Sequence, residues 1–335
     1  RATWHKDLQE QVGQFLGNIY QTHGYSGKPL EGDFSISGEP AEFREALDIY
    51  MTQVLTVGIQ PASSAHLGYI PGGGLYASAI ADYLASVSNE YAGIYYGSPG
   101  AVTIEEEVLN WLKQVFGFPT ETAGNLTSGG SIANLIALTS ARDAKKIKGS
   151  RIERSVIYMS AHTHHCVHKA LRIIGLEDVI VRELTLDTLH RIDLVQLEAQ
   201  IENDLKHGLE PTIIIGAAGT TDTGAIDPLN ALADICDKYK MWFHIDAAYG
   251  GFFILVDHLK DKFKGIERAD SLVVDPHKGM FLPYGVGAVL VRDKQAVLHS
   301  HHYTANYMQD TLNPDVPLSP AELSPELTKH FRGLR

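Results

Sequence analysis

Ser271-Leu272-Val273-Val274-Asp275-Pro276-His277-Lys278-Gly279 is a short apolar run that closes on a lysine, and Met241-Trp242-Phe243-His244-Ile245-Asp246-Ala247-Ala248-Tyr249 is a second run that closes on a carboxylate. Short, continuous runs of this kind are the pattern of strands buried on both faces of a parallel sheet. A lysine held at the end of such a strand can lose its proton and form a Schiff base with a carbonyl cofactor. A buried carboxylate nearby keeps that cofactor's pyridine nitrogen protonated. Lys278 and Asp246 are therefore the pair that pyridoxal 5'-phosphate chemistry requires.

Working outward, similar runs recur at Ser155 to Met159, Val179 to Val181, Thr212 to Gly216 and Val286 to Val291. Between several of them lie helical stretches such as Leu194 to Ile201 and Pro228 to Cys236. Repeated strand-helix units predict an α/β fold with a mostly parallel sheet covered on both faces. Ligands of such sheets gather at the carboxyl ends of the strands, where Asp246, Lys278 and the loop Gly219-Thr220-Thr221 all fall. The sequence contains no internal repeat and no low-complexity segment.

Thr127-Ser128-Gly129-Gly130-Ser131-Ile132-Ala133-Asn134 precedes the apolar helix beginning Leu135-Ile136-Ala137-Leu138. It sets glycine amides and hydroxyls at a positive helix N-terminus, where a phosphate dianion would bind. Such a loop is more often a plain turn and cap, but Lys278 and Asp246 downstream reverse that reading. His162, His164, His165 and His168, with Cys166, cluster after the run ending at Met159. A metal site normally carries a second, separated ligand pair, and none is evident. One of these rings is better used as a flat surface packed on the cofactor, and the others as surface or interface residues. His277 is either a plain strand-end residue or a phosphate contact, and its place beside Lys278 favours the contact.

Composition bounds the rest. With 335 residues, 44% of them apolar and 20% charged, the chain can bury one large core plus a smaller piece. A net charge of −12 with scattered lysines and arginines excludes a nucleic-acid surface. Cys166 and Cys236 are too few and too far apart for a disulfide framework, which predicts a reducing, cytoplasmic setting. No apolar run is long enough to span a membrane. Arg1 is not an initiator methionine, and Ser324-Pro325 predicts a helix start from which the chain runs to its last residue, Arg335. A domain rarely ends inside a helix, so a C-terminal portion is expected to be missing.

Taken together, Thr127 to Ser131, Thr163 to Ala170, Gly219-Thr220-Thr221-Asp222-Thr223-Gly224-Ala225-Ile226-Asp227-Pro228, His244 to Tyr249 and Asp275 to Lys278 resemble the group II pyridoxal-phosphate-dependent decarboxylases, which include the aromatic L-amino-acid, tyrosine and glutamate enzymes. The likeness runs from about His66 to Arg335 in the family's order. It implies the aspartate-aminotransferase-like type I fold, a homodimer with active sites at the subunit interface, and release of an amine and carbon dioxide from an L-amino acid. It further implies that Lys278 carries the Schiff base, that Asp246 pairs with the pyridine nitrogen and that His164 stacks on the ring. Gly129, Gly130, Ser131 and His277 would hold the phosphate, and Thr220 and Ala248 would line the cofactor. Tyr69-Ile70-Pro71-Gly72 corresponds to the family's substrate-pocket segment.

The resemblance divides the chain into an N-terminal helical segment (1–60), a cofactor-binding large domain (61–300), and a mobile active-site loop with the start of a truncated small C-terminal domain (301–335). The stretch from His301 to Pro317, broken by Asn313-Pro314 and Val316-Pro317, reads as that loop. Tyr307 would be the tyrosine on it that protonates the substrate carbon. Asp275 and the His165-Cys166 pair depart from the animal enzymes. Two alternatives stand beside decarboxylation: an aldehyde lyase resembling sphingosine-phosphate lyase, for which Gly250-Gly251-Phe252 speaks, and an inactive dimerising paralogue. An oxidative aldehyde synthase of the same family carries phenylalanine in place of the loop tyrosine, and Tyr307 argues against it.

Overall fold

Alternation within the strands sets the architecture. The computed structural model describes residues 2–32, 34–35, 38–70, 72–303 and 318–335, and two compact units, Arg1–Gly74 and Leu75–Arg335, divide it. The larger unit is built on a seven-stranded sheet: β1 (Ala123–Thr127), β2 (Ser155–Ser160), β3 (Ile180–Leu184), β4 (Glu210–Ala217), β5 (Trp242–Asp246), β6 (Ser271–Val274) and β7 (Gly287–Val291). Their order across the sheet is β1-β7-β6-β5-β4-β2-β3. The steps from β3 to β6 are parallel, and β7 pairs antiparallel with both β6 and β1. β7 was expected to run parallel with the rest. Nothing in its composition separates the two directions, because a strand buried on both faces is β-branched and apolar either way.

Successive side chains of a strand point to opposite faces. Val156 and Tyr158 accordingly pack in one buried cluster with Leu112, Phe116 and Phe243, while Ile157 and Met159 pack in another with Ile136, Ala137 and Leu138 of the helix Gly130–Ala144. Trp242 and Val273 belong to this second face. The same alternation puts His244, Asp246, Ser271 and Asp275 there too, beneath the helix Gly130–Ala144.

The smaller unit contains the helix Ala2–Asn18, the helix Phe43–Ile49 continued by a wider turn over Tyr50–Val54, and a two-residue antiparallel ladder pairing Tyr25 with Ile59 and Ser26 with Gly58. The Trp4 and Phe43 rings stack at 5.3 Å. Tyr69, Ile70 and Gly72 belong to this unit, and Pro71 lies outside the described residues.

The helix expected from Ser324 does not form. One turn, Pro320–Leu323, is closed by a reciprocal cap between Ser319 and Glu322, and Ser324 is then extended (φ −154°, ψ 153°). Tertiary bonds override the local signal. The Leu327 carbonyl accepts from the Tyr91 hydroxyl at 2.8 Å, and the Arg332 amide donates to Glu105 Oε1 at 2.8 Å. Lys329 Nζ, almost fully buried, lies 2.7 Å from Glu105 Oε2, off hydrogen-bond alignment, and donates to Asn125 Oδ1 at 2.7 Å. The ion pair fastens residues 318–335 to the helix Pro99–Phe116, and the Asn125 bond fastens them to β1.

Removing one member of a buried pair strands the other charge, at a cost of about 3–5 kcal/mol, whereas replacing both by apolar groups is often neutral. Lys329→Ala is therefore expected to lower the urea midpoint strongly, and Lys329→Met with Glu105→Leu to recover most of the loss. Equal midpoints for Lys329→Ala and the unaltered protein would show that the pair does not hold this segment.

Candidate active site

Five strand ends deliver the site. Gly129 follows β1, His164 follows β2, Thr220 follows β4, Asp246 ends β5 and Lys278 follows β6. β7, running the other way, brings its first residue, Gly287, to the same edge. Gly129, His164, Thr220, Asp246 and Lys278 line a cavity of about 370 Å³, within the range of small-molecule sites. Every described residue that the sequence singles out for the cofactor lies at the cavity: Gly129, Gly130, Ser131, His164, Thr220, Asp246, Ala248, His277 and Lys278; Tyr69, Ile70 and Gly72 of the expected substrate-pocket segment are not among its lining. Tyr307 lies outside the described residues, as does residue range 304–317 of the expected loop.

The anion cradle is formed by the N-terminus of the helix Gly130–Ala144, whose first-turn amides have no partner within the helix. Gly129 has φ +151°, a conformation that side chains rarely adopt, and a Cβ there would lie 3.3 Å from the His277 ring. Gly287 approaches just as closely: its Cβ would be 2.7 Å from the Gly129 backbone. His277 Nδ1 donates to the Val286 carbonyl at 2.6 Å, which leaves Nε2 as the ring nitrogen available to the cavity.

Lys278 Nζ pairs with Asp275 Oδ2 at 3.0 Å. Sequence reasoning treated Asp275 as a departure from a pattern, yet it is the lysine's direct partner. The signal was present, since residues three apart on a helical turn face each other, and Asp275 caps the turn Pro276–Gly279. Its carboxyl is buried, Oδ1 has no hydrogen-bond partner, and a Cβ on Gly130 would lie 2.8 Å from Oδ2. Burial pushes the Asp275 pKa up, opposed by the charges of Lys278 and His277.

Asp246 lies across the cavity floor. Its Oδ1 accepts from the Ala248 amide at 3.0 Å, and its Oδ2 from Asn134 Nδ2 at 3.4 Å. His164 is exposed at the opening, tilted against His165 with ring centroids 4.1 Å apart, and its Nδ1 accepts from the Cys166 amide at 3.3 Å. Partial burial and the neighbouring His165 lower its pKa, which favours a neutral, flat ring. His162 is drawn aside to Asp222 at 3.1 Å. Thr220 is buried, its hydroxyl bonded to that of Thr223 at 2.8 Å.

These residues fit pyridoxal phosphate on the protein's own terms. A helix N-terminus with glycines where a Cβ would intrude suits the phosphate. An amine within the same cavity suits the aldehyde, and a hydrogen-bonded carboxylate on its floor suits the pyridine nitrogen. Residues 28–333 match the model of the pyridoxal-dependent decarboxylase conserved domain. The chain belongs to the pyridoxal-dependent decarboxylase family.

Among similar proteins, an aromatic-L-amino-acid decarboxylase of Bacillus atrophaeus is 39% identical over 270 residues, 80% of this chain and 56% of that protein. An L-2,4-diaminobutyrate decarboxylase of Rhizobium meliloti (strain 1021) is 34% identical over 244 residues, 73% of this chain and 48% of that protein. The chain thus spans about half the length of these relatives. The solved structure of Oryza sativa TDC with PLP and tryptamine superposes with a TM-score of 0.91 at 24% identity, covering 99% of this chain and 72% of that one. The likeness establishes the type I fold. The family's cofactor is pyridoxal phosphate.

Sequence reasoning missed His244, which is fully buried between Ser271 and Asn134. Its place two residues before Asp246 on a strand, and so on the same face, was the available signal. Burial pushes its pKa down to about 4 from the ordinary 6.5. Between those values the unfolded chain binds a proton that the folded one does not. The stability held above about pH 6.5 is therefore lost as pH falls toward 4. At about 1.36 kcal/mol for each pH unit, the loss is roughly 3 kcal/mol. His244→Gln should flatten this acid limb in urea melts taken from pH 7 to pH 4.5, and a limb as steep as in the unaltered protein would contradict it.

Proposed function

We propose that this chain carries the cofactor-binding part of a decarboxylase that converts an L-amino acid to its amine and carbon dioxide. The observation that carries the reading is that Lys278 Nζ, the Asp246 carboxylate and an anion-binding helix N-terminus share one cavity. When bound there, pyridoxal phosphate supplies a sink for the electron pair left on the substrate's α-carbon as carbon dioxide departs.

The chain's residues divide the remaining work. Lys278 Nζ would hold the cofactor covalently. Asp275 Oδ2, 3.0 Å away, would position that amine within the cavity. Asp246 would keep a proton on the pyridine nitrogen by charge pairing. Gly129, Gly130 and Ser131 would bind the phosphate through backbone amides, joined by His277 Nε2. Thr220 and Ala248 would line the cofactor. His164, neutral and flat, would pack on the cofactor and help orient the substrate carboxylate. Tyr307 is the proposed donor of the proton to the α-carbon.

The remaining proposals concern setting. A homodimer would supply the subunit interface that the resemblance implies, and the exposed side chains of Tyr76, Ile80, Tyr83 and Val87 on the helix Tyr76–Ser88 give it apolar surface to cover. Two buried, unpaired cysteines suit a reducing cytoplasm. Among the described residues, no helix is long and apolar enough to cross a membrane.

Incubating the chain and pyridoxal phosphate with each L-amino acid, aromatic ones first in view of the Bacillus atrophaeus relative, should release carbon dioxide and amine in equal amounts. Lys278→Ala should abolish that release while circular dichroism shows a chain that is still folded. Amine formation by Lys278→Ala at the unaltered rate, or an aldehyde produced by carbon-carbon cleavage without carbon dioxide, would overturn the assignment.

A further inference from the structure

We propose that Trp242, Ser271, His244 and Asn134 form a one-way hydrogen-bond wire ending on Asp246, which makes His244 and Asn134 positioning residues for the carboxylate that faces the cofactor. The inference deepens the proposed function and rests on it for the cofactor. The wire's direction is a property of the protein alone.

The direction follows from which atoms can only give or only take a hydrogen. Asn134 Nδ2 lies 3.0 Å from the Gly130 carbonyl, which can only accept, so the amide's nitrogen is on that side and its oxygen faces away. That oxygen is 2.8 Å from His244 Nε2, so Nε2 carries the hydrogen. His244 is neutral at pH 7, so its Nδ1 is bare and must accept from the Ser271 hydroxyl, 2.8 Å away. Ser271 Oγ in turn accepts from Trp242 Nε1 at 2.9 Å, an indole nitrogen that can only donate. At the far end, the second hydrogen of Asn134 is shared between Asp246 Oδ2 at 3.4 Å and the Cys166 sulfur at 3.5 Å, and a carboxylate oxygen is a stronger acceptor than a thiol sulfur. A group that only donates begins the wire and one that only accepts ends it, so its polarity cannot reverse.

The fold supplies this arrangement through register. Trp242, His244 and Asp246 alternate along β5 on one face, and Ser271 is the cross-strand partner of His244. Asn134 stands one turn along the helix from Gly130, so one side chain touches both the start of the anion cradle and the Asp246 carboxylate. Phosphate grip and ring grip are thereby tied through Asn134. Every member except Asp246 is buried and neutral, and chains of such bonds polarise one another in a water-free interior.

The test has two arms. In the first, cofactor-free protein labelled with 15N-histidine is read by long-range proton-nitrogen NMR, with the His244 signals assigned by their loss in His244→Gln. The expected result is a neutral ring with hydrogen on Nε2 at pH 7, and a shift of the Nδ1 resonance in Ser271→Ala. Hydrogen on Nδ1, or a charged ring, would overturn the wire.

In the second arm, Asn134→Leu and the unaltered protein are loaded with pyridoxal phosphate, and attachment, absorbance and turnover are compared. Asn134→Leu should keep the cofactor attached, shift its absorbance maximum and lower kcat roughly ten- to a hundredfold, the worth of a hydrogen bond to a charged group, with little change in KM. A lowered melting temperature with unchanged absorbance and kcat would reduce Asn134 to a packing residue and refute the positioning role. Failure of the unaltered protein to take up pyridoxal phosphate would instead sink the proposed function, with the NMR arm still deciding the wire.

Discussion

A carboxylate set at the edge of a packed interior needs hydrogen bonds in place of the water it loses. Asp246 meets that condition with the Ala248 amide on one oxygen and Asn134 on the other, and much of the surrounding structure serves these two bonds. The turn after β5 aims the Ala248 amide back at the side chain. The helix Gly130–Ala144 must lie directly over β5 and β6 for Asn134 to reach, which is why Ile136, Ala137 and Leu138 are packed without a gap against that face. Because the same helix presents its N-terminus to the cavity, the packing that fixes Asp246 also fixes the anion cradle. The two ends of a cofactor would thus be located by one rigid body.

Much of this was legible in the sequence, for physical reasons that differ from residue to residue. Strands buried on both faces leave continuous β-branched runs, so β2, β4, β5 and β6 could be read directly. β1 could not: Ala123-Gly124-Asn125-Leu126-Thr127 has glycine and asparagine at its centre, both poor strand formers. Its place is set from outside, Asn125 being held by the Pro320 carbonyl and Lys329. The direction of β7 was hidden because burial selects the same residues whichever way a strand runs. At Ser324 a strong local signal lost to long-range bonds that no local pattern reports.

The site shows the same division. Lys278, Asp246 and the glycines of residues 129–130 announce themselves, since each needs a particular residue type at a particular turn. Asp275 and His244 do not. Both are buried polar residues within three positions of a residue already singled out, and only the partners at the other end of their bonds, Lys278 in one case and Ser271 with Asn134 in the other, reveal what they hold.

The central claim is that Lys278 is the attachment point of pyridoxal phosphate in a cavity floored by Asp246. Borohydride reduction of the cofactor-loaded protein, followed by digestion and peptide mass spectrometry, tests it most directly. The account predicts a single reduced pyridoxyl adduct on the peptide containing Lys278, and none in Lys278→Ala. An adduct on another lysine, or the same scatter of adducts with and without Lys278, would contradict it.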